Sequence, residues 1–385
     1  MTNHQSPIKR FPLLPFSQLV YDIPCWWRHV YRFPFTFLWK DGAKEKVRIE
    51  KAVRSALTNH PVFQMRTDWR GRQYTAPQND IVHGPYHDID ILADGDDVII
   101  NMTVSRILGD GRSGEILMDD IRRAYNGESL KPDDYWGYLE YIEQQKQLQH
   151  YADSKVWLEN EFTDDSIPVR PTLDRPLWTL FSPKVGVYQS DYSDLHQSLY
   201  SFAKEHVLSL DGFFSLCAAL AIAEYCGTDA AALTWAYEGR ERPEEQRIFG
   251  SLHRDIPFQI KNLKSEIRNH KSDLIREARN QIRSGIAHSD FPYTLTKPFT
   301  KRWNYAVNVL RVEDEHELIK LLPQPVEILP SSPQKYAYAL LDVEIHESFD
   351  HLHIVYRYSA THYKESSIRR FAGLVRKYAE WLLTE

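Results

Sequence analysis

The stretch VIINMTVSRILGDGRSGEILMDDIRRAY, residues 98–125, decides the fold of this chain. Its first part has apolar residues at every second position, which predicts a β-strand with one buried face: Val98, Ile100, Met102 and Val104. Its last part has apolar residues on one helical face: Leu117, Ile121, Ala124 and Tyr125. Gly127 stands at the expected helix end. The polar turn between them, residues 105–111, is the kind of place where sites are built.

The length of the chain predicts two domains. Its 385 residues exceed what one hydrophobic core usually organises, and the hydrophobic fraction of 42% suffices for two cores. Residues 166–183 are rich in proline and lack periodicity, which is typical of a connector. We therefore predict an N-terminal lobe at 1–165, a connector at 166–183 and a C-terminal lobe at 184–385.

Charge and cysteine content narrow the functional class. The net charge is −6, and the basic residues are interspersed with acids, which argues against a nucleic-acid partner. No stretch approaches the roughly 20 apolar residues of a membrane span, and the N-terminus lacks the apolar core of a signal peptide. Cys25, Cys217 and Cys226 are too few for a disulfide framework. These features predict a soluble, cytoplasmic protein without a membrane partner.

The remaining patterns mix helices and strands. The apolar spacing from Ile49 to Leu57 predicts a helix that stops at Pro61, because proline disfavours helical geometry in the residue before it. Residues 87–90 and 94–97 are expected to be turns. Further helices are expected at 135–162, at 210–225 and near the C-terminus, and strands at 234–240, 305–311, 336–345 and 353–358. The predicted fold class is α/β (α+β).

Other motifs have weak support. Residues 109–114 match GxGxxG, but a polar loop follows the helix where a second parallel strand would be needed for a dinucleotide site. His346, His351 and His353 lack the carboxylate or cysteine partners of a metal site, and we interpret them as polar surface. Ser113 is in no GxSxG elbow. We therefore predict neither a bound cofactor nor a metal.

Several short segments, in their order along the chain, resemble motifs of the condensation domains of non-ribosomal peptide synthetases, within the chloramphenicol acetyltransferase-like superfamily. Residues 11–18 resemble the opening proline–serine–glutamine segment, and 59–67 resemble RHxxLRT. Residues 135–141, with Trp157, resemble YxDFAxWQ and the tryptophan that follows it. EGR at 238–240 stands where the family has AGR. Residues 250–260 and 288–293 resemble the segment around GxxxNTLPLR and HQDYPFE.

The resemblance implies an architecture and partners. Two chloramphenicol acetyltransferase-like lobes are expected to form a V, with residues 98–125 facing the cleft between them. It also implies that Asp110 and Arg240 form a structural salt bridge across the lobe interface. The donor would arrive on the phosphopantetheine arm of an acyl or peptidyl carrier protein, or on CoA. A monomer is expected.

The chain departs from the family at the catalytic motif HHxxxDG, whose second histidine orients or deprotonates the acceptor. Ser105 and Arg106 occupy the two histidine positions, while Asp110 and Gly111 are retained. Arginine has a pKa above about 12 and cannot act as a general base near neutrality. The X domains of glycopeptide synthetases also resemble this chain in having an arginine at the second position, and they recruit oxygenases.

Two functions therefore stay open for the motif positions Ser105, Arg106 and Gly111. One is a degenerate domain that binds carrier proteins or tailoring enzymes, with its activity non-standard or lost. The other is an active acyl or peptidyl transferase that works by positioning and polar stabilisation. Arg106 would bind an acidic or carbonyl-bearing ligand, or would only extend to solvent or form a local ion pair.

Overall fold

The structure is a computed structural model. It describes residues 9–22, 31–76, 80–176, 184–263, 271–296, 306–313, 326–329, 339–348 and 351–384. Cys25 lies outside these ranges, and the described cysteines, Cys217 and Cys226, are both free thiols.

Helices and strands are mixed along the whole chain, as the fold-class prediction requires. The helices are α1 (Pro15–Asp22), α2 (Lys46–Asn59), α3 (Gly111–Tyr125), α4 (Tyr135–Gln145), α5 (Gln149–Glu161), α6 (His196–His206), α7 (Leu210–Cys226), α8 (Lys271–Ala287) and α9 (Glu365–Leu383). The strands are β1 (Phe11–Pro12), β2 (Arg32–Trp39), β3 (Met65–Thr67), β4 (Arg72–Thr75), β5 (His87–Asp94), β6 (Asp97–Ser105), β7 (Val185–Asp191), β8 (Ala231–Tyr237), β9 (Arg254–Ile260), β10 (Asn308–Glu313), β11 (Val326–Leu329), β12 (Leu341–Glu347) and β13 (Leu352–Ser359).

The chain divides into two compact units that do not follow the predicted boundaries. The first takes its described residues from 1–144, 238–253 and 315–333, and the second from 145–237, 254–314 and 334–385. Residues 238–253 belong to the first unit because they hydrogen-bond to α3. The described part of the predicted connector, residues 166–176, also belongs to the second unit, where Pro168 O accepts a hydrogen bond from Ala232 N and Val169 O accepts one from Val307 N.

The first unit is built on two antiparallel sheets. Their strand orders are β1-β4-β3 and β11-β2-β6-β5. β6 is central in the larger sheet, where Val104 pairs with Phe33 of β2 and with His87 of β5. Its alternate apolar residues are buried, as are Ile116, Leu117 and Ile121 of α3. The strand–turn–helix prediction is therefore accurate to within a residue or two.

The second unit contains a six-stranded mixed sheet in the order β7-β13-β12-β10-β8-β9. β8, β10 and β12 run parallel to one another. β9 pairs antiparallel with β8, β13 pairs antiparallel with β12, and β7 pairs antiparallel with β13 at the sheet edge. α7 is buried over most of its length because its sequence is apolar nearly all round.

Among the described residues, no single helix is long and apolar enough to cross a membrane. The helical segments Ser193–His206 and Leu210–Cys226 are long and apolar enough only when they are taken together, and the chain bends by 101° between them.

Two local predictions are wrong. Residues 87–90 are the start of strand β5, where His87 and Ile89 are buried and Asp88 and Asp90 are exposed. Only the second expected turn is present, between Asp94 and Asp97, where Gly95 has a positive φ of 61°. The expected single helix over 135–162 is two helices, α4 and α5.

Candidate functional site

Ser105 ends β6 and begins residues 105–111, which we call the motif turn. Its side chain faces the backbone of this turn. Ser105 N donates to Tyr86 O at 2.7 Å, and Ser105 O accepts from Leu108 N at 2.9 Å. The Ser105 hydroxyl is buried and accepts a hydrogen bond from Ile107 N at 3.3 Å. In this position the hydroxyl stabilises the turn.

Arg106 lies beside an aromatic residue of the neighbouring strand. Its backbone N donates to Tyr31 O at 2.9 Å, and its guanidinium carbon is 4.5 Å from the ring centroid of Phe33. A cation at this distance from a ring face is attracted by the quadrupole of the ring. Arg106 is half-buried, so its guanidinium is held beside the Phe33 ring in the turn that follows β6.

Asp110 is the N-cap of α3 and the centre of a buried polar cluster. Its Oδ1 accepts hydrogen bonds from Ser113 N at 3.0 Å and from Arg240 Nη2 at 3.0 Å. Its Oδ2 accepts hydrogen bonds from Arg240 Nη1 at 3.0 Å, Leu252 N at 2.9 Å and His253 N at 3.1 Å. An aspartate at this position satisfies backbone donors that the first turn of a helix leaves open.

The structure brings the predicted pair Asp110 and Arg240 together in bidentate geometry. The Arg240 side chain is fully buried and that of Asp110 is 6% exposed. Arg240 Nη2 also donates to the carbonyl oxygens of Ile248 at 3.2 Å and Gly250 at 3.1 Å. Burial alone would raise the pKa of Asp110, but the charge and hydrogen bonds of Arg240 outweigh it and lower that pKa. Both residues belong to the first unit, so the pair lies within one unit and not across an interface as expected.

Ser113 links α3 to residues 238–253. Its hydroxyl is 2.9 Å from both Asp110 Oδ1 and Gly250 O, and it accepts a hydrogen bond from Gly250 N at 3.1 Å. Ser113 and Asp110 also cap each other reciprocally at the helix start. Residues 238–253 are thereby fixed against the N-terminus of α3.

The two glycines of the motif turn have different surroundings. A Cβ on Gly111 would meet no atom within 4 Å, so Gly111 leaves open space at the first position of α3. A Cβ on Gly109 would lie 2.7 Å from Phe249 Cε1 and 2.9 Å from Ser113 Cβ. The close approach therefore requires glycine at 109, a requirement that no local sequence pattern indicates.

A second buried network, centred on His60, was also missed. His60 Nδ1 is 2.7 Å from Asp133 Oδ2, and His60 Nε2 is 3.3 Å from Asp120 Oδ2. Burial alone would lower the pKa of His60, but the two carboxylates outweigh it and raise that pKa. Arg247 and Asn59 also contact Asp120, which ties α2, α3 and residues 238–253 together. The only sequence signal was His60 in the RHxxLRT-like segment.

Possible metal ligands lie away from the motif turn in sequence. His83, Asp88 and Asp90 have ligand atoms that all lie within 4.8 Å of one another. Among the described residues, they are the one such group of at least three His, Cys, Asp or Glu side chains. All three residues are exposed. His346 and His353 stack on each other, with ring centroids 5.0 Å apart, and His346 Nε2 lies 3.1 Å from Glu344 Oε2.

Two curated relatives are synthetases. This chain is 23% identical over 287 residues to tyrocidine synthase 3 of Brevibacillus parabrevis, a match that covers 71% of this chain and 4% of that protein. It is 26% identical over 213 residues to the non-ribosomal peptide synthetase kk1B of Curvularia clavata, which covers 51% of this chain and 2% of that protein. The chain thus spans only a small fraction of the length of these relatives.

Solved structures share the fold. The epimerization domain from the third module of tyrocidine synthetase B has a TM-score of 0.77 at 15% identity, with 98% of this chain and 96% of that chain covered. The X-domain from teicoplanin biosynthesis has a TM-score of 0.76 at 13% identity, with 97% and 94% covered. At such identities the likeness shows the fold alone, which is the chloramphenicol acetyltransferase-like fold of condensation domains.

The family model for the condensation domain matches residues 96–384, well over half of the chain. The matched region begins just before β6 and includes the motif turn, Asp110 and Arg240. This chain therefore belongs to the condensation-domain family.

Proposed function

We propose that this chain binds acyl groups tethered to a carrier protein or to CoA, and that its condensation activity is lost or non-standard. The observation that carries the proposal is Arg106, whose guanidinium lies over Phe33 at a position that resembles that of the second motif histidine. A guanidinium stays protonated near neutrality and cannot accept a proton from an amine or hydroxyl. Loss of such a proton-transfer group typically costs about 10²- to 10⁴-fold in rate.

The intact surroundings of the turn support a binding role. Asp110, Arg240 and Ser113 hold the start of α3 in a dense hydrogen-bond cluster. A chain that kept only the fold would not need this buried charge pair at the motif turn, because an apolar pair of similar volume is often as stable. The carrier protein is the partner that we propose.

A tailoring enzyme is the second partner class that we propose. The X-domain of teicoplanin biosynthesis, which shares this fold, has been solved as a complex with OxyB. We further propose that the chain acts as a monomer in the cytoplasm, in keeping with its net charge of −6 and three cysteines.

An active transferase is the alternative function. The fixed charge of Arg106 favours it, because a planar guanidinium in a preset position stabilises a developing oxyanion or an acceptor carboxylate. In that case Arg106→Ala reduces turnover by roughly 10²- to 10³-fold, as for loss of one oxyanion donor.

The test uses a purified carrier protein loaded with acyl groups, and it scores complex formation and acyl transfer for the parent, Arg106→Ala and Arg106→His. A binding module forms the complex without efficient transfer, and Arg106→His does not create transfer. Robust parental transfer that falls in Arg106→Ala supports the transferase instead. Robust transfer that is indifferent to Arg106→Ala contradicts both roles of this residue.

A further inference from the structure

The hairpin between β3 and β4 presents an exposed tryptophan among arginines. Trp69 is 84% exposed, and the guanidinium carbon of Arg70 is 4.6 Å from its ring centroid. The side chains of Arg10 and Arg72 are 43% and 42% exposed. We call Arg10, Trp69, Arg70 and Arg72 the hairpin tip.

The hairpin tip is rigid although it is exposed. Asp68 Oδ1 accepts hydrogen bonds from Arg70 N and Arg72 N, both at 2.9 Å. Gly71 has a φ of 73°, a left-handed conformation that favours glycine, and a Cβ there would lie 3.1 Å from Tyr21 Cε1. A preset loop loses little entropy when a partner binds it.

The charge of the hairpin tip is local and positive. Arg70 lies over the Trp69 ring, and the neighbouring Asp68 is already engaged by both Arg72 and Arg10, so the three arginines outnumber the one carboxylate that they contact. The chain as a whole carries a net charge of −6, which disfavours broad anionic surfaces such as membranes or nucleic acids. A compact partner with an acidic face next to an apolar notch fits this patch, because tryptophan and arginine dominate binding hot spots.

Helix α1 connects the hairpin tip to the motif turn. Ser17 Oγ donates to Ile107 O at 2.8 Å, and Tyr21 OH donates to Asp68 O at 3.3 Å. Ser17 and Tyr21 are one helical turn apart, a rise of about 6 Å. A protein docked on the tip is therefore one short helix away from residues 105–111.

We propose that the hairpin tip is a docking contact for the carrier protein, which would present an acidic face to it. This inference rests on the proposed function, since it assigns a surface to the partner named there. Trp69 supplies the apolar anchor, and Arg70, with the neighbouring arginines, pairs with carboxylates of the partner.

The test measures binding of an apo carrier protein from a non-ribosomal peptide synthetase by calorimetry at low and moderate salt. Trp69→Ala and Arg70→Glu each raise the Kd about tenfold or more. The matched controls Val47→Ala, at a residue that is 80% exposed, and Lys51→Glu, at an exposed lysine of α2, change the Kd less than about twofold. A carrier variant with an acidic residue changed to lysine restores binding to Arg70→Glu.

Unchanged carrier binding by Trp69→Ala and Arg70→Glu would overturn the docking proposal and leave the proposed function standing. A parent that binds no carrier protein in any form would overturn both the docking proposal and the carrier-protein part of the proposed function. If both substitutions abolish binding to vesicles of phosphatidylcholine and phosphatidylserine but leave carrier binding intact, the hairpin tip is a membrane contact and the proposal is wrong. Circular dichroism and thermal melts identical to the parent show that each variant is folded.

Discussion

Both terminal nitrogens of Arg240 lie 3.0 Å from the carboxylate oxygens of Asp110, although 130 positions separate the two residues in sequence. The pair is buried and also binds the backbone of residues 248–253. It joins the start of α3 to a segment from much later in the chain.

Removing either member of this pair should destabilise the protein strongly. Asp110→Asn or Arg240→Ala leaves an uncompensated buried group, which costs about 3–5 kcal/mol of unfolding free energy. Denaturant unfolding measures the loss. Arg54→Ala is the control, because the Arg54–Asp80 pair is half exposed and such pairs contribute about 0–1 kcal/mol. Losses of similar size for all three variants would contradict a special role for Asp110 and Arg240.

The two glycines of the motif turn should respond differently to the same substitution. Gly109→Ala forces a Cβ to within 2.7 Å of Phe249, and such overpacking typically costs about 1–3 kcal/mol. Gly111→Ala enters open space and should leave the melting temperature unchanged or slightly higher, since alanine is the better helix former. Equal melting temperatures for the two variants would refute this distinction.

Because of His60, the unfolding free energy should depend on pH above 6.5, the ordinary pKa of histidine. Its pKa in the folded protein is raised above the ordinary value of 6.5 by Asp120 and Asp133, against the effect of burial. A raised pKa contributes stability that is fully present below 6.5 and is lost as the pH rises through the folded-state pKa. Unfolding free energies measured from pH 6 upward should therefore fall for the parent. The fall should be smaller in His60→Gln, and parallel curves would show that His60 does not titrate this way.

Arg106 and Phe33 should be coupled energetically. A half-buried cation–π contact is worth about 0.5–2 kcal/mol, so the double-mutant cycle of Arg106→Met and Phe33→Leu should give a coupling energy in that range. Unfolding free energies of the four proteins provide the measurement. Strict additivity would mean that the 4.5 Å approach of the two groups contributes no stability.

The sequence predicted those elements whose signal is local. β6 and α3 were found because alternation and helical spacing meet at residues 105–111. β5 was missed because Asp88 and Asp90 disfavour strands, although they alternate with the buried residues His87 and Ile89.

The candidate site was predictable only in part. The Asp110–Arg240 pair followed from the family resemblance, since no local pattern relates residues so far apart. The His60–Asp120–Asp133 network was not predicted, because its members come from three separate segments. The requirement for glycine at 109 depends on Phe249, which only the folded chain brings close.

The insertion of residues 238–253 into the first unit constrains how the protein can be made. A ribosome that has synthesised residues 1–165 has produced Asp110 and His60 but neither Arg240 nor Arg247, so the buried carboxylates still lack their arginine partners. The first unit can close only after the polypeptide has grown past residue 329, because strand β11 also pairs with β2 in that unit. A truncated gene that ends at residue 165 should therefore yield an aggregation-prone fragment, whereas the uninterrupted reading frame lets both units complete their cores.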